Sequence, residues 1–355
     1  MAQLYGRDWT REALCQRVGT MDQLAAITCS RLEDGPEHGV QVLTMRTGSG
    51  LSWEVLAGRG FDIGFAEYQG VPLAWQSGTG DVHSAYFEPA GRGWLRGFSG
   101  GLLTTCGLTY AGGPTVDGSE PLGLHGRASY IPASHVRWDS FWEGDRYVLR
   151  AEAQVRETSV FGPNLLLKRS IQSELGSKEI HIHDTVVNEG FCESPHMMLY
   201  HLNLGFPIIS GASQLLLDYS RVDARDAESE SWVGHLPELT DPVSDEMDLV
   251  FYPEVVAGED GMVTITAFNP TLLGGNGLGV VISYPKAQLP SLTLWKSLSR
   301  GRYVLGVEPG NCRVDGRDKE RARGTLVVLK PMETAEYSLT FRILDGREDR
   351  VPRSA

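Results

Sequence analysis

The feature that most constrains the fold is a long succession of short strand-like segments with hardly any helical periodicity between them. Roughly eighteen or more segments have the length and apolar alternation of strands, and Gly-rich or acidic turns separate them. Examples are GVQVLTMRT, FDIGFAEYQG and DRYVLRAEAQVRET. No fixed repeat period that would indicate a propeller is evident. Because so many strands need two sheets to bury their apolar faces, the sequence predicts an all-β fold, a single large antiparallel sandwich.

Helical periodicity is convincing only near the start of the chain. There, apolar residues share one face of a predicted helix that Thr10 could cap. We therefore expect a short helical extension over residues 1–24, a single β domain over residues 25–345 and a C-terminal tail over residues 346–355. At 355 residues, the chain is long enough to bury a sizeable core.

Charge and cysteine usage restrict the partners and the compartment. The 32 Lys and Arg against 45 Asp and Glu give a net charge of −13, which disfavours nucleic acid and anionic membrane surfaces and favours a small-molecule substrate. The five cysteines include no Cys-x-x-Cys pair, which indicates reduced thiols. The N-terminal stretch lacks the apolar core of a signal peptide, and no apolar run reaches the roughly 18 residues of a membrane span. We expect a cytoplasmic protein, with a homodimer left open.

Two long irregular segments interrupt the strand rhythm. Residues 77–123 are dense in glycine with interleaved aromatic residues, and residues 208–259 are acidic and less regular. Long loops inside a compact domain are more often functional than idle. We expect residues 77–123 to shape one mouth of a cleft and residues 208–259 to lie at its rim.

The strongest candidate for chemistry is His201, in the apolar stretch PHMMLYHLNLGFP at residues 195–207. Alternation along a strand places His201 and Asn203 on one face and Tyr200 and Leu202 on the other. An imidazole facing a cleft can act as an acid or a base near neutral pH. The alternative is a hydrogen-bonded core histidine.

Glu308 is the second candidate, since it ends a buried strand in VLGVEPG. A carboxylate at such a position is costly unless it is paired or used. Partial burial could raise the Glu308 pKa into the range of a general base. The alternative is a salt bridge to Arg300 or Arg302 at the strand end.

Other candidates are binding residues. His125 lies in LGLHGRAS, where glycines let the backbone approach a ligand, and Arg127 could project to the same side. Such a stretch is also compatible with a simple turn. Trp295 and Lys296 could offer a sugar an aromatic platform and a donor, or could be a core tryptophan and a solvated lysine.

Arg59 and Asp62, in AGRGFDIGFA, form another polar interruption of a strand run. They are candidates for substrate binding, or they pair with each other. His181 and His183 alternate on one strand without a third ligand at sensible spacing, so we expect no metal. The chain lacks a nucleophile elbow and a P-loop, and we expect no cofactor.

Four of these stretches resemble a known family. GRGFDIG at 58–64, LHGR at 124–127, YHLNLGFP at 200–207 and LGVEPGNC at 305–312 are similar to the DUF4432 branch of aldose 1-epimerase-like, or galactose mutarotase-like, proteins. The likeness spans roughly residues 25–345. It implies a galactose mutarotase-like β-supersandwich.

The resemblance also implies roles for three residues. In mutarotases a strand histidine protonates the sugar ring oxygen and a glutamate takes the proton of the anomeric hydroxyl. By position these are His201 and Glu308, while His125 matches a histidine that holds the substrate. The resemblance does not assign the substrate-binding aspartate of mutarotases to any one acidic residue of the 208–259 segment.

The chain departs from the mutarotase pattern at Arg127, where a second glycine is typical, and after His201. The arginine favours a charged or modified sugar. The leading hypothesis is an isomerase or epimerase acting on a free monosaccharide at or near C1. The alternatives are an aldose–ketose isomerase or C2 epimerase on the same scaffold, and a non-catalytic sugar-binding protein.

Overall fold

The computed structural model describes residues 1–243, 246–347 and 349, and these residues form mostly β-strands. Residues 348 and 350–355 of the predicted C-terminal tail lie outside the described residues. The strands are β1 (Ala2–Leu4), β2 (Arg7–Trp9), β3 (Ala26–Arg31), β4 (Gln41–Arg46), β5 (Leu51–Leu56), β6 (Asp62–Tyr68), β7 (Val71–Pro72), β8 (Leu103–Leu108), β9 (Thr115–Asp117), β10 (Glu120–Leu122), β11 (Ser134–Glu143), β12 (Arg146–Thr158), β13 (Asn164–Glu174), β14 (Glu179–Asn188), β15 (Ser194–Gly205), β16 (Gln214–Leu216), β17 (Tyr219–Ala224), β18 (Leu249–Val255), β19 (Met262–Asn269), β20 (Leu278–Pro285), β21 (Ser291–Ser299), β22 (Arg302–Gly310), β23 (Val327–Leu329) and β24 (Thr334–Asp345).

Helical segments are short and connect strands. They lie at Arg11–Cys15, Ala227–Glu230, Leu272–Gly275 and Arg317–Arg323, with 3-10 turns at Met21–Gln23, Gly35–Glu37, Ser84–Tyr86, Gly93–Gly97, Ala128–Tyr130 and Val233–His235. Within the described ranges, no helix is long and apolar enough to cross a membrane.

Two large antiparallel sheets confirm the predicted all-β sandwich. The smaller sheet has eight strands in the order β11-β12-β13-β14-β24-β20-β19-β16. The larger has twelve, in the order β17-β18-β21-β22-β15-β8-β6-β5-β4-β3, with β23 paired to β15 and β7 to β6. The main apolar core lies between the sheets and includes Trp53, Ile171 and Phe341.

The first 24 residues differ in part from the predicted helical extension. β1 and β2 form a hairpin, and the helix covers only Arg11–Cys15, although Thr10 Oγ1 caps it as predicted by accepting from the Ala13 amide at 3.2 Å. Trp9 belongs to the hairpin, where its indole donates to the Leu4 carbonyl at 3.0 Å. The apolar residues whose spacing suggested one helix are therefore divided between the β1–β2 hairpin and the helix, and both elements pack on the same core.

Strand β15 lies inside the larger sheet between β8 and β22, so its backbone is bonded on both sides. Met198 and Tyr200 face the main core, whereas Met197 and Leu199 belong to a second apolar cluster on the outer face of the sheet. Loops from residues 77–123 cover this second cluster through residues such as Trp94. The outer face is therefore as buried as the inner one, and a polar side chain on it meets protein rather than bulk water.

A network of charged side chains crosses the main core behind β15. Arg169 donates to Asp184 from Nε at 2.9 Å and from Nη2 at 2.6 Å, and its Nη1 donates to Asp62 at 3.0 Å and to Thr105 at 2.8 Å. The Tyr200 hydroxyl donates to Asp184 at 2.7 Å, and Thr105 donates to Asp62 at 2.6 Å. Asp62 thus lies in the core instead of the cleft where the sequence placed it, because a buried carboxylate needs the cation that Arg169 supplies.

Candidate active site

A cleft of about 200 Å³ opens on the outer face of the larger sheet. The segment at residues 77–123 forms one wall, as expected, and strands β15, β18, β21 and β22 contribute to the rest. The lining residues are Arg92, Trp94, Leu95, Phe98, Gly113, Pro114, Leu124, His125, His201, Arg225, Asp248, Val250, Thr293, Trp295, Glu308 and Val314.

His201 and Glu308 meet at the floor of this cleft. Leu202 pairs with Val307, which places His201 and Glu308 opposite each other on adjacent strands with their side chains on one face. His201 Nε2 lies 3.2 Å from Glu308 Oε1. The carboxylate also explains Gly306 in the LGVEPG stretch, because a Cβ there would come within 2.6 Å of Oε1.

Burial favours the uncharged form of both groups. His201 is 5% exposed and Glu308 is 2% exposed. Desolvation raises the pKa of Glu308 well above its ordinary value, with Asp248 acting in the same direction and Arg225 against it. Desolvation lowers the pKa of His201, and the neighbouring His125 adds to that shift. Neither group behaves as a solvated side chain, and their contact makes them one titrating unit.

His125 stands beside this pair in a tight loop. Its φ is 54°, in the left-handed region, and the following Gly126 has no room for a Cβ, which would lie 2.3 Å from the Tyr110 carbonyl oxygen. The rings of His125 and His201 meet edge to face at 5.9 Å. Burial and then Arg92 lower the pKa of His125 to about 4, so the imidazole is neutral at physiological pH.

Aromatic rings surround the histidines. Phe98 and Trp295 approach His201 edge to face, with ring centroids at 5.2 and 5.6 Å. Trp94 lies against His125 at 4.9 Å. Such a wall limits the contact of the His201–Glu308 pair with solvent and offers apolar faces to a ligand.

Several polar atoms of the site have no protein partner. Within the described part of the chain, His125 Nδ1, His201 Nδ1 and Thr293 Oγ1 are buried without a hydrogen bond of acceptable geometry. Asn203 nevertheless lies close enough to His201 to oppose the downward shift of its pKa. Thr293 pairs with Glu308 in register across β21 and β22. Buried polar atoms are normally satisfied, so this cluster indicates a place that a ligand completes.

Sequence reasoning missed four polar lining residues: Arg92, Arg225, Asp248 and Thr293. Asp248 accepts from the Trp295 indole at 2.7 Å and from Arg225 Nη2 at 3.3 Å. The predicted rim at residues 208–259 contains Arg225 and Asp248, yet no local pattern singles them out among its many charged residues. Only the packing of β17 and β18 beside β21 brings them to the cleft.

Two predicted binding arginines lie elsewhere. Arg127 is exposed and precedes the 3-10 turn Ala128–Tyr130, outside the cleft lining. Arg59 is buried and donates from all three guanidinium nitrogens to backbone carbonyls, including that of Ser129 at 3.0 Å. It stacks over the Tyr130 ring at 4.2 Å. Arg59 therefore holds loops together rather than facing a ligand, and it does not form the suggested pair with Asp62.

Asn203 and Lys296 do not line the cleft and instead bond to backbone carbonyls near it. The Asn203 amide donates to the carbonyls of Gly101 at 3.0 Å and His201 at 2.9 Å. Lys296 follows Trp295 on β21 and so faces the opposite way, where its ammonium donates to the carbonyls of His235 and Glu238 at 3.0 and 2.7 Å. Trp295 alone of the predicted platform pair lines the cleft.

His181 and His183 lie on the outer side of the smaller sheet, near Thr340 and Ser338. In the described residues, no group of three or more His, Cys, Asp or Glu side chains could hold a metal ion.

Comparison with known proteins identifies the family. The model of DUF4432, a domain of unknown function, matches residues 37–343. A search of curated proteins finds no match. A Klebsiella pneumoniae structure provisionally named an aldose 1-epimerase is 26% identical, with a TM-score of 0.86 over 92% of this chain and 87% of that one.

Two more distant structures share the fold. A galactose mutarotase-like protein from Clostridium acetobutylicum is 13% identical, with a TM-score of 0.64 over 91% of this chain and 99% of that one. Galactose 1-epimerase from Lactobacillus acidophilus is 13% identical, with a TM-score of 0.57 over the same shares of the two chains. The predicted galactose mutarotase-like fold is confirmed.

Proposed function

The chain belongs to the DUF4432 family, and from that premise we propose that it is a carbohydrate epimerase acting at the anomeric carbon of a free monosaccharide. The observation that carries the proposal is the contact of 3.2 Å between His201 Nε2 and Glu308 Oε1, at the floor of a cleft whose buried polar atoms lack partners. The five cysteines, all within the described ranges, are free thiols, which supports a cytoplasmic location.

The protonation state of the pair suits this chemistry. Because burial favours the neutral forms, Glu308 holds a proton at neutral pH and His201 is an uncharged imidazole. Transfer of that proton from Oε1 to Nε2 converts the pair into an imidazolium acid and a carboxylate base without exchange with solvent. Because burial opposes these charged forms, the transfer occurs as hydrogen bonds to the bound sugar stabilise them. The pair thereby acquires both catalytic functions in one internal step.

The reaction then needs only these two groups. The imidazolium of His201 protonates the ring oxygen as the bond between that oxygen and C1 breaks, and Glu308 accepts the proton of the anomeric hydroxyl as the C1 carbonyl forms. Rotation about the C1–C2 bond exposes the other face of the carbonyl. Ring closure reverses both proton transfers and yields the other anomer.

The rest of the cleft suits a single sugar ring. Its volume of about 200 Å³ is below the roughly 300–1,000 Å³ of typical pockets for drug-sized ligands, which disfavours an oligosaccharide. Asp248 and the unpartnered atoms of His125 and Thr293 can bond to hydroxyl groups. Trp295 and Phe98 can pack on the apolar side of the ring.

The test is NMR in D₂O with a panel of aldoses, ketoses and uronates, following anomer exchange and carbon-bound deuterium together. We expect faster anomer exchange with no deuterium at carbon. His201→Asn and Glu308→Gln should each lower the rate by about 10²- to 10⁴-fold, the range for a lost acid or base. The exposed His183 on the other sheet provides the control, and His183→Asn should retain the wild-type rate.

Other outcomes would redirect the assignment. Deuterium at C2 or a new sugar would show an aldose–ketose isomerase or a C2 epimerase. Saturable sugar binding without any change in exchange between pH 5 and 9 would show a binding protein. Full activity in both His201→Asn and Glu308→Gln would overturn the proposed roles.

A further inference from the structure

We propose that the end of the cleft formed by Arg92 and His125 binds an anionic group of the sugar, so that the substrate is an acidic monosaccharide carrying a carboxylate or a phosphate. This inference rests on the proposed function, since it names the substrate class of the same site. It transfers the recognition of charge from Arg127, which the sequence suggested, to a different arginine.

The first observation is the difference between the two arginines of the lining. Arg225 is already neutralised, because its Nε donates to Asp226 at 2.7 Å and its Nη2 to Asp248 at 3.3 Å. Arg92 lines the same cleft and is exposed to solvent, and no described residue forms an ion pair or a hydrogen bond with its guanidinium. It is the cation at this site whose donors are available to a ligand, and a guanidinium matches carboxylate and phosphate geometry with two parallel bonds.

The second observation is the neighbouring imidazole. His125 and Arg92 both line the cleft and lie close enough for the charge of Arg92 to lower the pKa of His125. His125 Nδ1 is buried with no hydrogen bond to any described residue. A neutral imidazole can donate from one nitrogen, so it can share an oxygen of the anion with the guanidinium. Because His125 and the following Gly126 both have left-handed backbone conformations in a tight loop, the position of the imidazole is set before the ligand arrives.

The third observation is the order of groups along the cleft. Trp94 contacts His125 at 4.9 Å, His125 contacts His201 at 5.9 Å, and His201 contacts Trp295 at 5.6 Å. Asp248 bonds to Trp295 at the other end, where the two carboxylates of Asp226 and Asp248 outnumber the single cation of Arg225 and would repel an anion. If C1 lies at the His201–Glu308 pair, the anionic substituent lies across the ring toward Arg92, and only one orientation avoids the carboxylate.

The net charge of −13 repels an anionic substrate at long range, so long-range attraction cannot explain its binding. Recognition must come from local contacts, because dissolved salt screens the interactions between exposed charges beyond about 8–10 Å at physiological ionic strength. The proposal therefore predicts selectivity that depends on one side chain, and not a general affinity for anions.

The experiment compares wild type with Arg92→Gln and with a matched control, Arg96→Gln. Arg96 lies in the 3-10 turn Gly93–Gly97 that directly follows Arg92, pairs with Glu88 at 3.1 Å and does not line the cleft. kcat/KM for anomer exchange is measured on a hexuronate, a hexose 6-phosphate and the parent neutral hexose. The ratio of acidic to neutral kcat/KM should fall by roughly 10- to 100-fold in Arg92→Gln, as expected for a lost charge-assisted bond, and should not change in Arg96→Gln.

Comparison of the two acidic substrates shows which anionic group the site binds. A higher kcat/KM on the hexuronate indicates a carboxylate, and a higher kcat/KM on the hexose 6-phosphate indicates a phosphate. An unchanged ratio in Arg92→Gln, or an equal fall in Arg96→Gln or Arg127→Gln, would overturn the inference. Thermal melts confirm that each variant is folded.

A binding measurement separates this inference from the proposed function. Isothermal titration of the hexuronate and the hexose 6-phosphate into wild type and Arg92→Gln requires no turnover. Selective loss of acid binding in Arg92→Gln, without anomer exchange in wild type, would support the anion site and refute the epimerase. Anomer exchange of neutral sugars in wild type, without preferential binding of either acid, would support the epimerase and refute the anion site.

Discussion

The inner and outer faces of β15 carry polar groups that are equally buried but differently satisfied. On the inner face, Tyr200 joins Asp184 and Arg169 in a network in which the charged groups have partners at 2.6–3.0 Å. On the outer face, His201 meets Glu308 at 3.2 Å and keeps Nδ1 without a bonded partner among the described residues. The first arrangement completes itself within the protein, whereas the second requires something from outside.

This difference has an energetic basis. A buried polar group without a partner costs about 1–3 kcal/mol, whereas a satisfied one is close to neutral or stabilising. Folding alone would favour replacing Thr293 or Glu308 with apolar residues, because neither needs its polar atom for packing. Their presence on the outer face therefore indicates function, while the inner network indicates structure.

The largest change in the free energy of unfolding is expected when a substitution breaks the inner network. Arg169→Met leaves Asp62 and Asp184 as buried carboxylates without their cation, so the free energy of unfolding should fall by about 3–5 kcal/mol in urea denaturation. The control is Arg146→Met, which removes an exposed bond to Glu174 and should cost less than about 1 kcal/mol.

Tyr200→Phe provides a second measurement if Arg169→Met does not yield folded protein. It removes only the bond to Asp184 and should lower the free energy of unfolding by about 1–3 kcal/mol. Equal losses in the Arg169 and Arg146 variants would contradict the assignment of the inner network as a structural element.

A second prediction concerns pH and the outer face. Between the ordinary and the raised pKa of Glu308, the unfolded chain ionises this group while the folded protein keeps it protonated. The folded state then binds more protons, so wild-type stability falls with pH by up to about 1.4 kcal/mol per pH unit. Glu308→Gln lacks this loss and should become more stable than wild type as pH rises from 5 to 9.

Urea denaturation at several pH values checks this expectation. Glu336→Gln, which alters an exposed carboxylate on β24, should show a stability difference from wild type that does not change with pH. A Glu308→Gln variant that is less stable than wild type at pH 8 would show that the carboxylate belongs to the structure and not to the site.

The smallest effects are expected from substitutions of two buried threonines. Thr105 donates to Asp62 and accepts from Arg169, so Thr105→Val should lower the free energy of unfolding by about 1–3 kcal/mol. Thr293→Val removes a hydroxyl without a protein partner in the described ranges, and it should leave stability unchanged or slightly higher while weakening sugar binding several-fold.

Denaturation and sugar titration of the two variants give both readouts. A destabilised Thr293→Val with unchanged sugar binding would place Thr293 with the inner network.

Local patterns predicted a large part of the fold and the centre of the site. Alternation along residues 195–207 correctly separated the face of His201 from that of Tyr200. A carboxylate at the end of an apolar strand correctly indicated that Glu308 is buried. The extent of the N-terminal helix was wrong, because a spacing that suits a helix also suits a hairpin that packs on the same core.

The remaining site residues could not be predicted, for a physical reason. Arg59 and Arg127 looked alike as arginines beside glycines, but Arg59 is buried against backbone carbonyls, and Arg127, although exposed like Arg92, lies outside the cleft that Arg92 lines. Whether an arginine bonds to carbonyls, faces solvent or lines a cleft depends on chain segments distant in sequence. The local spacing of residues therefore does not predict the environment of an arginine.

The sequence by itself determined the all-β class and the two faces of β15, because strand alternation depends on neighbouring residues alone. Only the tertiary structure decided which acidic and basic groups complete the cleft. The contact of His201 with Glu308 joins strands about 100 residues apart in the sequence, and Asp248 and Arg225 enter from a further pair of strands. Burial by all of these segments together shifts the pKa values of the pair, since desolvation is a property of the packed protein and not of any one segment.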